Sequence, residues 1–193
     1  MPTDNSGPDD NQTANKQTAA MRKYSHAAEL IDNIPYAAMI VLGTVILAMS
    51  ITGPTGRWLW AGLYLIYGLG GAVWIIVFVC PFCRYYDTRS CPCGYGQIAP
   101  LLRTKNSTEC FSDKFKKHIP VIVPLWFIPL LVGVPVTIGT FSWAILGLLI
   151  LFSLDAFVVL PLLSTKHGCK ECPQKESCPW MSGKTPRDIR AVA

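Results

Sequence analysis

Residues 119–154 read IPVIVPLWFIPLLVGVPVTIGTFSWAILGLLILFSL, a run of 36 positions without a charged side chain. A single α-helix of that length would extend about 54 Å at 1.5 Å per residue, whereas the hydrocarbon core of a bilayer is about 30 Å thick. The chain must therefore reverse, and the GTFS segment at residues 139–142 is the expected turn. This stretch predicts two transmembrane helices, over residues 119–138 and 143–163.

Two earlier stretches have the same character. Residues 34–51 and 58–79 contain no charge, and a GPTG turn signal at residues 53–56 separates them. Charged residues make up 15% of the chain, well below the roughly 25% that is usual in soluble domains. We therefore predict an all-α integral membrane protein, built as a four-transmembrane-helix bundle over residues 34–163.

The segments outside the spans are predicted to be polar. Residues 1–33 are expected to form a disordered tail followed by a short interfacial helix from Arg22 to Asn33, because the tail has almost nothing to bury. Residues 80–118 are expected to form a cysteine-rich loop, and residues 164–193 a cysteine-containing C-terminal tail. The sequence thus predicts one transmembrane domain with three polar attachments.

The end of the loop, residues 109–118, predicts a short basic amphipathic helix. Phe111 and Phe115 recur on one side, and lysines crowd the other. A helix of this kind lies naturally on an anionic membrane surface. Cys110, which has no close cysteine neighbour in sequence, is predicted to be a small buried hydrophobe rather than a ligand.

Small residues and prolines in the spans predict how the helices pack. Gly68 and Ala72 form a small-x-x-x-small pair that suits close helix packing, although glycine is also simply common in membrane helices. Pro124, Pro129 and Pro135 should kink the third span because each removes a backbone hydrogen bond. A membrane tolerates this only where neighbouring helices or water satisfy the freed carbonyls.

The distribution of positive charge predicts the orientation. Of the 17 Lys and Arg residues, all but Arg57 fall in the N-terminal segment, the loop and the C-terminal tail. Four spans put these three segments on one side, and basic segments stay in the cytoplasm. The loop and the tail are therefore predicted to form a cysteine-rich cytoplasmic cap on the bundle. Cytosolic thiols are kept reduced, so structural disulfides are not expected. A reversed topology would instead place the thiols where disulfides form.

The first thiol group lies at the exit of the second predicted span. Its members, within 14 residues, are Cys80, Cys83, Cys91 and Cys93. Two close pairs, each closing a tight turn, can enclose a tetrahedral metal ion. Proline pre-sets such turns, and the glycine after Cys93 lets backbone N–H groups point at a sulfur.

The second group follows the last predicted span and comprises Cys169, Cys172 and Cys178. His167 is the nearest candidate for a fourth ligand, with His118 and Cys110 as alternatives. A single site that draws ligands from both groups is also possible, and it would clamp the ends of the second and fourth spans together.

The nature of the site stays open between several chemistries. Zinc is favoured because it takes four thiolates and needs no redox role, and a [4Fe–4S] cluster is the alternative because it takes the same ligands. Exposed cysteines, some of them palmitoylated, are the simplest reading. The predicted metal ligands are Cys80, Cys83, Cys91, Cys93, Cys169, Cys172, Cys178 and His167.

Asp155 is the only acid inside a predicted span. An ionised carboxylate is costly there, so such residues usually face the bundle interior and mark a function. We consider it as a possible proton relay, or as a protonated side chain bonded across the bundle. The candidate hydrogen-bond partners are Tyr64, Tyr67, Ser50 and Ser153.

These features favour a metal-bearing membrane protein that acts as a scaffold or binds a partner in the membrane. The alternative is an iron–sulfur redox component that passes electrons to a membrane carrier. No phosphate-binding glycine loop and no H-E-x-x-H motif is present, so the sequence names no reaction and leaves open whether the protein is an enzyme. We expect the protein to lie in the lipid bilayer and to bind no nucleic acid.

Overall fold

The computed structural model describes residues 23–169 together with residues 172, 174, 175 and 178. All regular secondary structure in this part of the chain is helical, and no strand occurs in it. Four helices are long and apolar enough to cross a membrane: His26–Ser50, Pro54–Phe82, Thr108–Gly139 and Trp143–Lys166. The four predicted spans are thereby confirmed as helices, whereas the predicted disordered tail and most of the C-terminal tail lie outside the described residues.

The helical elements are joined by short connections except at residues 83–94, an irregular segment of the cysteine-rich loop. The α-helices are α1 (His26–Ser50), α2 (Pro54–Phe78), α3 (Tyr95–Leu102), α4 (Phe111–His118), α5 (Pro124–Gly139), α6 (Trp143–Leu154) and α7 (Leu160–Leu163). Short 3-10 turns occupy Cys80–Phe82, Thr108–Cys110 and Ile119–Val121. Two π-helical segments, Asp155–Val159 and Ser164–Cys169, flank α7 and extend the last long helix.

The first long helix begins earlier than the sequence predicted. Ser25 caps it, since its hydroxyl accepts a hydrogen bond of 3.3 Å from the N–H of Ala28. The helix then continues through Pro35, which is buried inside it. A proline in a helix removes one intrahelical bond without necessarily ending the helix. The interfacial helix expected from Arg22 to Asn33 is therefore not a separate element. From His26 onward, its residues form the first part of α1.

The core of the bundle is built around α1, which contacts α2, α5 and α6. Met39 of α1 and Phe152 of α6 are both 0% exposed, and Leu125 of α5 lies with them. Many other apolar side chains on the long helices are exposed, including Ile66 and Leu131. Such outward apolar surface is what a helix facing lipid requires.

Small residues let α2 approach its neighbours. A Cβ atom at Gly68 would lie 2.7 Å from Cγ1 of Ile40, and one at Gly71 would lie 3.0 Å from Cγ2 of Ile122. The hydroxyl of Tyr36 donates a hydrogen bond of 2.8 Å to the carbonyl of Gly68. The predicted close packing at Gly68 is confirmed, with α1 as the neighbouring helix.

The prolines shape the third long helix in different ways. Pro124 stands at the start of α5, after a 3-10 turn, so the long helix is segmented there. Pro129 lies inside α5 and cannot donate to the carbonyl of Leu125, four residues earlier. The hydroxyl of Tyr64 on α2 donates to that carbonyl instead, at 2.8 Å. A neighbouring helix thus satisfies this freed carbonyl, as predicted.

Candidate functional site

The first thiol pair is set on a tight turn directly after α2. Cys80 opens the 3-10 turn Cys80–Phe82, and the N–H of Cys83 donates a hydrogen bond of 3.0 Å to the carbonyl of Cys80. The C-x2-C spacing therefore closes a turn, as expected. Both side chains are partly buried, and neither is in a disulfide.

The second thiol pair lies at the start of α3. Backbone N–H groups of the four residues that run from Cys93 to Gly96 point at the sulfur of Cys91. Gly94 makes this possible through a left-handed backbone with φ of 74°. A Cβ at Gly96 would lie 2.2 Å from the carbonyl oxygen of Tyr85, so only glycine fits there. Converging N–H groups of this kind stabilise negative charge on a sulfur.

The tail returns to the loop through a buried glutamine. Oε1 of Gln174 accepts a hydrogen bond of 3.0 Å from the N–H of Arg84. Nε2 of the same side chain donates to the carbonyls of Phe82 and Thr108, at 3.4 and 3.2 Å. Gln174 was not among the predicted site residues, since nothing in the sequence distinguishes one glutamine between two cysteines. Its hydrogen bonds hold the segment between Cys172 and Cys178 against the loop.

Two described cysteines of the tail also lie beside the loop. Cys178 is 8% exposed and packs in a small cluster with Val79 and Phe111. Cys83 packs against that cluster. Cys172 receives the backbone N–H of Gln174 at its sulfur. Cysteines of the two groups, far apart in sequence, therefore lie next to each other.

The thiols of the two groups interact electrostatically. The sulfur of Cys83 lies close enough to those of Cys91, Cys172 and Cys178 for negative charges on them to repel. Cys172 interacts in the same way with Cys91 and Cys178. Negative charge on Cys83, Cys91 or Cys93 would likewise repel a thiolate at Cys80.

This setting favours neutral thiols when no cation is bound. Burial raises the pKa of Cys83 to about 12, partly offset by the N–H of Tyr85 and reinforced by the neighbouring sulfurs. Burial also raises the pKa of Cys91 and of Cys172, although backbone N–H groups oppose the shift at both. A buried anion needs a counter-charge.

The arrangement falls short of a formed metal site. Among the described residues, no group of three or more His, Cys, Asp or Glu side chains is placed so that it could hold a metal ion. His167 and Cys169 belong to the helical segment Ser164–Cys169, the last one in the described residues, but their side chains lie outside the described part of the chain. Their predicted roles as ligands stay predictions.

Cys110 and His118, the two alternative ligands, lie outside the group of cysteines from the loop and the tail. Cys110 is exposed in the turn before α4, so the prediction of a small buried hydrophobe is wrong. Its neighbour Phe111 occupies the buried position instead. The ring of His118 stacks on Phe78 at a centroid distance of 5.1 Å and lies 5.8 Å from Trp74. Neither residue joins the thiol group.

The apolar side of α4 is occupied by protein. Phe111 and Phe115 both pack in the cluster that contains Val79 and Cys178. Nζ of Lys114 lies 5.2 Å from the ring centroid of Phe82. The helix is amphipathic as predicted, but its phenylalanines face α2 and the tail rather than lipid.

The start of α1 also contacts the cysteine loop. Nδ2 of Asn33 donates a hydrogen bond of 3.0 Å to the carbonyl of Cys93. Nε2 of Gln97 donates to Oε1 of Glu29 at 2.9 Å, and the N–H of Tyr24 donates to the carbonyl of Arg89 at 3.0 Å. Sequence reasoning missed these residues, because isolated polar side chains carry no pattern.

Asp155 lies where α6 passes into a π-helical segment, a form of helix that is frequent at functional sites. Its Oδ2 atom is buried and has no hydrogen-bond partner in the described structure. None of its predicted partners bonds to it. Tyr64 donates to Leu125, Tyr67 to Val121 and Ser153 to Leu149, while the hydroxyl of Ser50 is itself buried without a hydrogen bond.

No protein family, curated protein or solved structure matches this chain.

Proposed function

We propose that this protein is a membrane scaffold whose cytoplasmic end carries a thiolate metal site, with Zn²⁺ as the favoured ion. The observation that carries the proposal is that Cys83 and Cys91 of the loop lie near Cys172 and Cys178 of the tail, with Cys83 packed against the cluster that contains Cys178. Tetrahedral thiolate sets are typical of structural zinc sites. The cytoplasmic assignment rests on the distribution of Lys and Arg.

Two features of the described residues support these four cysteines as the ligand set. Backbone N–H groups already point at the sulfurs of Cys83, Cys91 and Cys172, and such donors support thiolates that bind metal. The described cysteines are all free, so their sulfurs are available. The sulfurs would have to converge to about 2.3 Å from a shared ion.

A structural role follows from where the ligands originate. Two come from the loop after α2 and two from the tail after the last long helix, so a shared ion would tie these helix ends together. Binding would displace the thiol protons and would be coupled to ordering of the cysteine-rich cap. The cap would then offer a fixed surface to a protein partner at the membrane.

The test is metal analysis of full-length protein purified without oxygen. We expect about one zinc per chain in the wild type. Each of Cys83→Ser, Cys91→Ser, Cys172→Ser and Cys178→Ser should lose most of it. Cys110→Ser is the matched control, since Cys110 is exposed and outside the thiol group. Metal-free wild type, or equal metal content in all five variants, would overturn the proposal.

An iron–sulfur redox component is the second candidate. The same thiols suit a [4Fe–4S] cluster, and the buried Oδ2 of Asp155 without a hydrogen bond favours a proton-linked role in the bundle. Brown protein that contains iron and bleaches with dithionite would replace zinc with this candidate. In that event Asp155→Asn should slow electron transfer to a quinone and leave the iron content unchanged. Colourless, zinc-loaded protein would eliminate it.

A further inference from the structure

A second feature lies beside the thiol group, where α2 ends. The ring of Phe78 is stacked by His118 on α4 and is approached by Arg103, whose Cζ lies 5.8 Å from the ring centroid. Trp74, one turn earlier on α2, is 4.3 Å from Phe78 between ring centroids. A guanidinium over an aromatic face is a favourable cation–π contact. Arg, His and Trp side chains combine an apolar body with a polar end, which suits the boundary between hydrocarbon and headgroups.

The helix before Arg103 presents an uncovered apolar side. In α3, Ile98, Leu101 and Leu102 are 44%, 83% and 51% exposed. The opposite side of α3 packs against α2, and Trp74 and Val73 of α2 are exposed as well, as lipid-facing residues would be. The apolar side of α3 therefore lies beside the membrane-facing surface of α2.

Positive charge borders this apolar surface. Arg103 and Lys105 follow α3 directly, and Lys116 and Lys117 are exposed on α4. Within the described residues no carboxylate forms an ion pair with any of these four, and the two acids of α4 and its preceding turn, Glu109 and Asp113, are exposed. The net charge of the border is positive.

The position of Arg103 is fixed by its backbone. Its N–H donates a hydrogen bond of 3.0 Å to the carbonyl of Ala99, and its carbonyl accepts one of 2.8 Å from the hydroxyl of Tyr86. Because these bonds hold its backbone at the end of α3, the Arg103 side chain extends from a fixed point towards Phe78.

We propose that α3 lies in the membrane interface with its apolar side in lipid, and that Arg103 and Lys105 bind the headgroup phosphate of an anionic phospholipid. An amphipathic helix with flanking basic residues is the usual device for this. A helix with an apolar side buried among acyl chains also places its flanking cations at headgroup depth. The proposal does not depend on the metal site, because it uses none of the cysteines.

The first experiment measures lipid selectivity. Full-length protein is incubated with equal amounts of phosphatidylglycerol and phosphatidylcholine of the same acyl chains, and bound lipids are counted by native mass spectrometry. Wild type should retain phosphatidylglycerol preferentially, and Arg103→Gln should reduce that preference about fivefold. Arg103→Lys, which keeps the charge, should retain most of it. Arg57→Gln removes one exposed charge from the first turn of α2, at the opposite end of that helix, and should change nothing.

Equal retention of the two lipids by wild type would overturn the proposal. So would an unchanged preference in Arg103→Gln, or an equal loss in Arg57→Gln. A second measurement leaves the basic residues unchanged. A photocrosslinking amino acid replaces Leu101, the most exposed apolar residue of α3, in cells, and its crosslinked partner is identified. A crosslink to phospholipid supports the assignment, and a crosslink to another protein contradicts it.

Discussion

The hydroxyl of Tyr64 donates a hydrogen bond of 2.8 Å to the carbonyl oxygen of Leu125. Pro129 leaves this carbonyl without its usual intrahelical donor. The ring of Tyr64 lies over Gly43, where a Cβ would come within 2.5 Å of it. One tyrosine thus links α1, α2 and α5 by contact and by a hydrogen bond in the interior of the bundle.

Tyr64→Phe should therefore destabilise the bundle. The substitution keeps the ring but leaves a buried carbonyl without a donor, at an expected cost of about 1 kcal/mol in the free energy of unfolding. Unfolding in mixed micelles with increasing dodecyl sulfate measures it. Pro129→Ala restores an N–H that can reach Leu125, so the double variant should lose less stability than the sum of the two single variants. Strict additivity would show that the tyrosine does not serve this carbonyl.

Gly43→Ala should destabilise the same region by overpacking. The added methyl group would clash with the ring of Tyr64, at an expected cost of about 1–3 kcal/mol. Gly70→Ala is the matched control, because a Cβ there meets nothing within 4 Å. Thermal unfolding of the two variants in the same detergent compares them. Equal stability would mean that Tyr64 can move aside freely.

Gln174→Leu should release the tail from the loop. Leucine has nearly the same volume but cannot accept from the N–H of Arg84. We expect hydrogen exchange at the Arg84 amide to accelerate by about tenfold, the equivalent of ~1.4 kcal/mol. Lys175→Leu, at an exposed neighbouring position, should leave the exchange rate unchanged. Unaltered exchange in Gln174→Leu would show that another group protects that amide.

Gly96→Ala should disrupt the backbone around Cys91. The methyl group would lie 2.2 Å from the carbonyl oxygen of Tyr85 and 3.0 Å from Cβ of Cys91, so the turn must open. We expect a stability loss of about 3 kcal/mol, and lower metal content if the thiols bind metal. Gly94→Asn is the control, since asparagine tolerates the left-handed φ of 74° at that position. Metal content that fell equally in both variants would point away from the specific clash.

The orientation predicts which thiols a membrane-impermeant reagent can reach. In intact cells, Cys110 should stay unlabelled, because the loop is expected on the cytoplasmic side. It should label readily once the membrane is opened, since its side chain is exposed. A cysteine placed at position 55, exposed in the first turn of α2, should label from outside. Ready labelling of Cys110 in intact cells would reverse the assignment.

The spans could be read from the sequence because their signal is additive over many residues. The 36 uncharged positions from residue 119 exceed one membrane thickness, and no single side chain decides that result. The close packing at Gly68 was likewise visible as a spacing of small residues. The continuation of α1 through Pro35 was not, because tertiary packing on a buried proline outweighs its local propensity to break a helix.

The sequence predicted the two thiol groups and offered a single shared site as one possibility, but it could not say which cysteines would lie together. The spacing of Cys80 and Cys83 predicts a local turn, and the structure has that turn. The proximity of Cys83 to Cys172 depends on the path of two long helices, which cysteine spacing does not encode. The side chain of Gln174 that joins the sets is recognisable only from its hydrogen bonds. The hydrogen bonds expected between Asp155 and the tyrosines are absent for a related reason. Tyr64 and Tyr67 donate their hydroxyls to backbone carbonyls near prolines instead.

The hydrogen bond between Gln174 and Arg84 joins residues that are 90 positions apart. The third and fourth long helices lie between them, and a ribosome extends the chain from its N-terminus. Arg84 is therefore made on the order of 5–20 s before Gln174, at common synthesis rates. During that interval Cys83 and Cys91 have neither Cys172 nor Cys178 beside them. The hydrogen bond between Arg84 and Gln174 can therefore form only after both later helices have been synthesised and have brought the tail back to the loop.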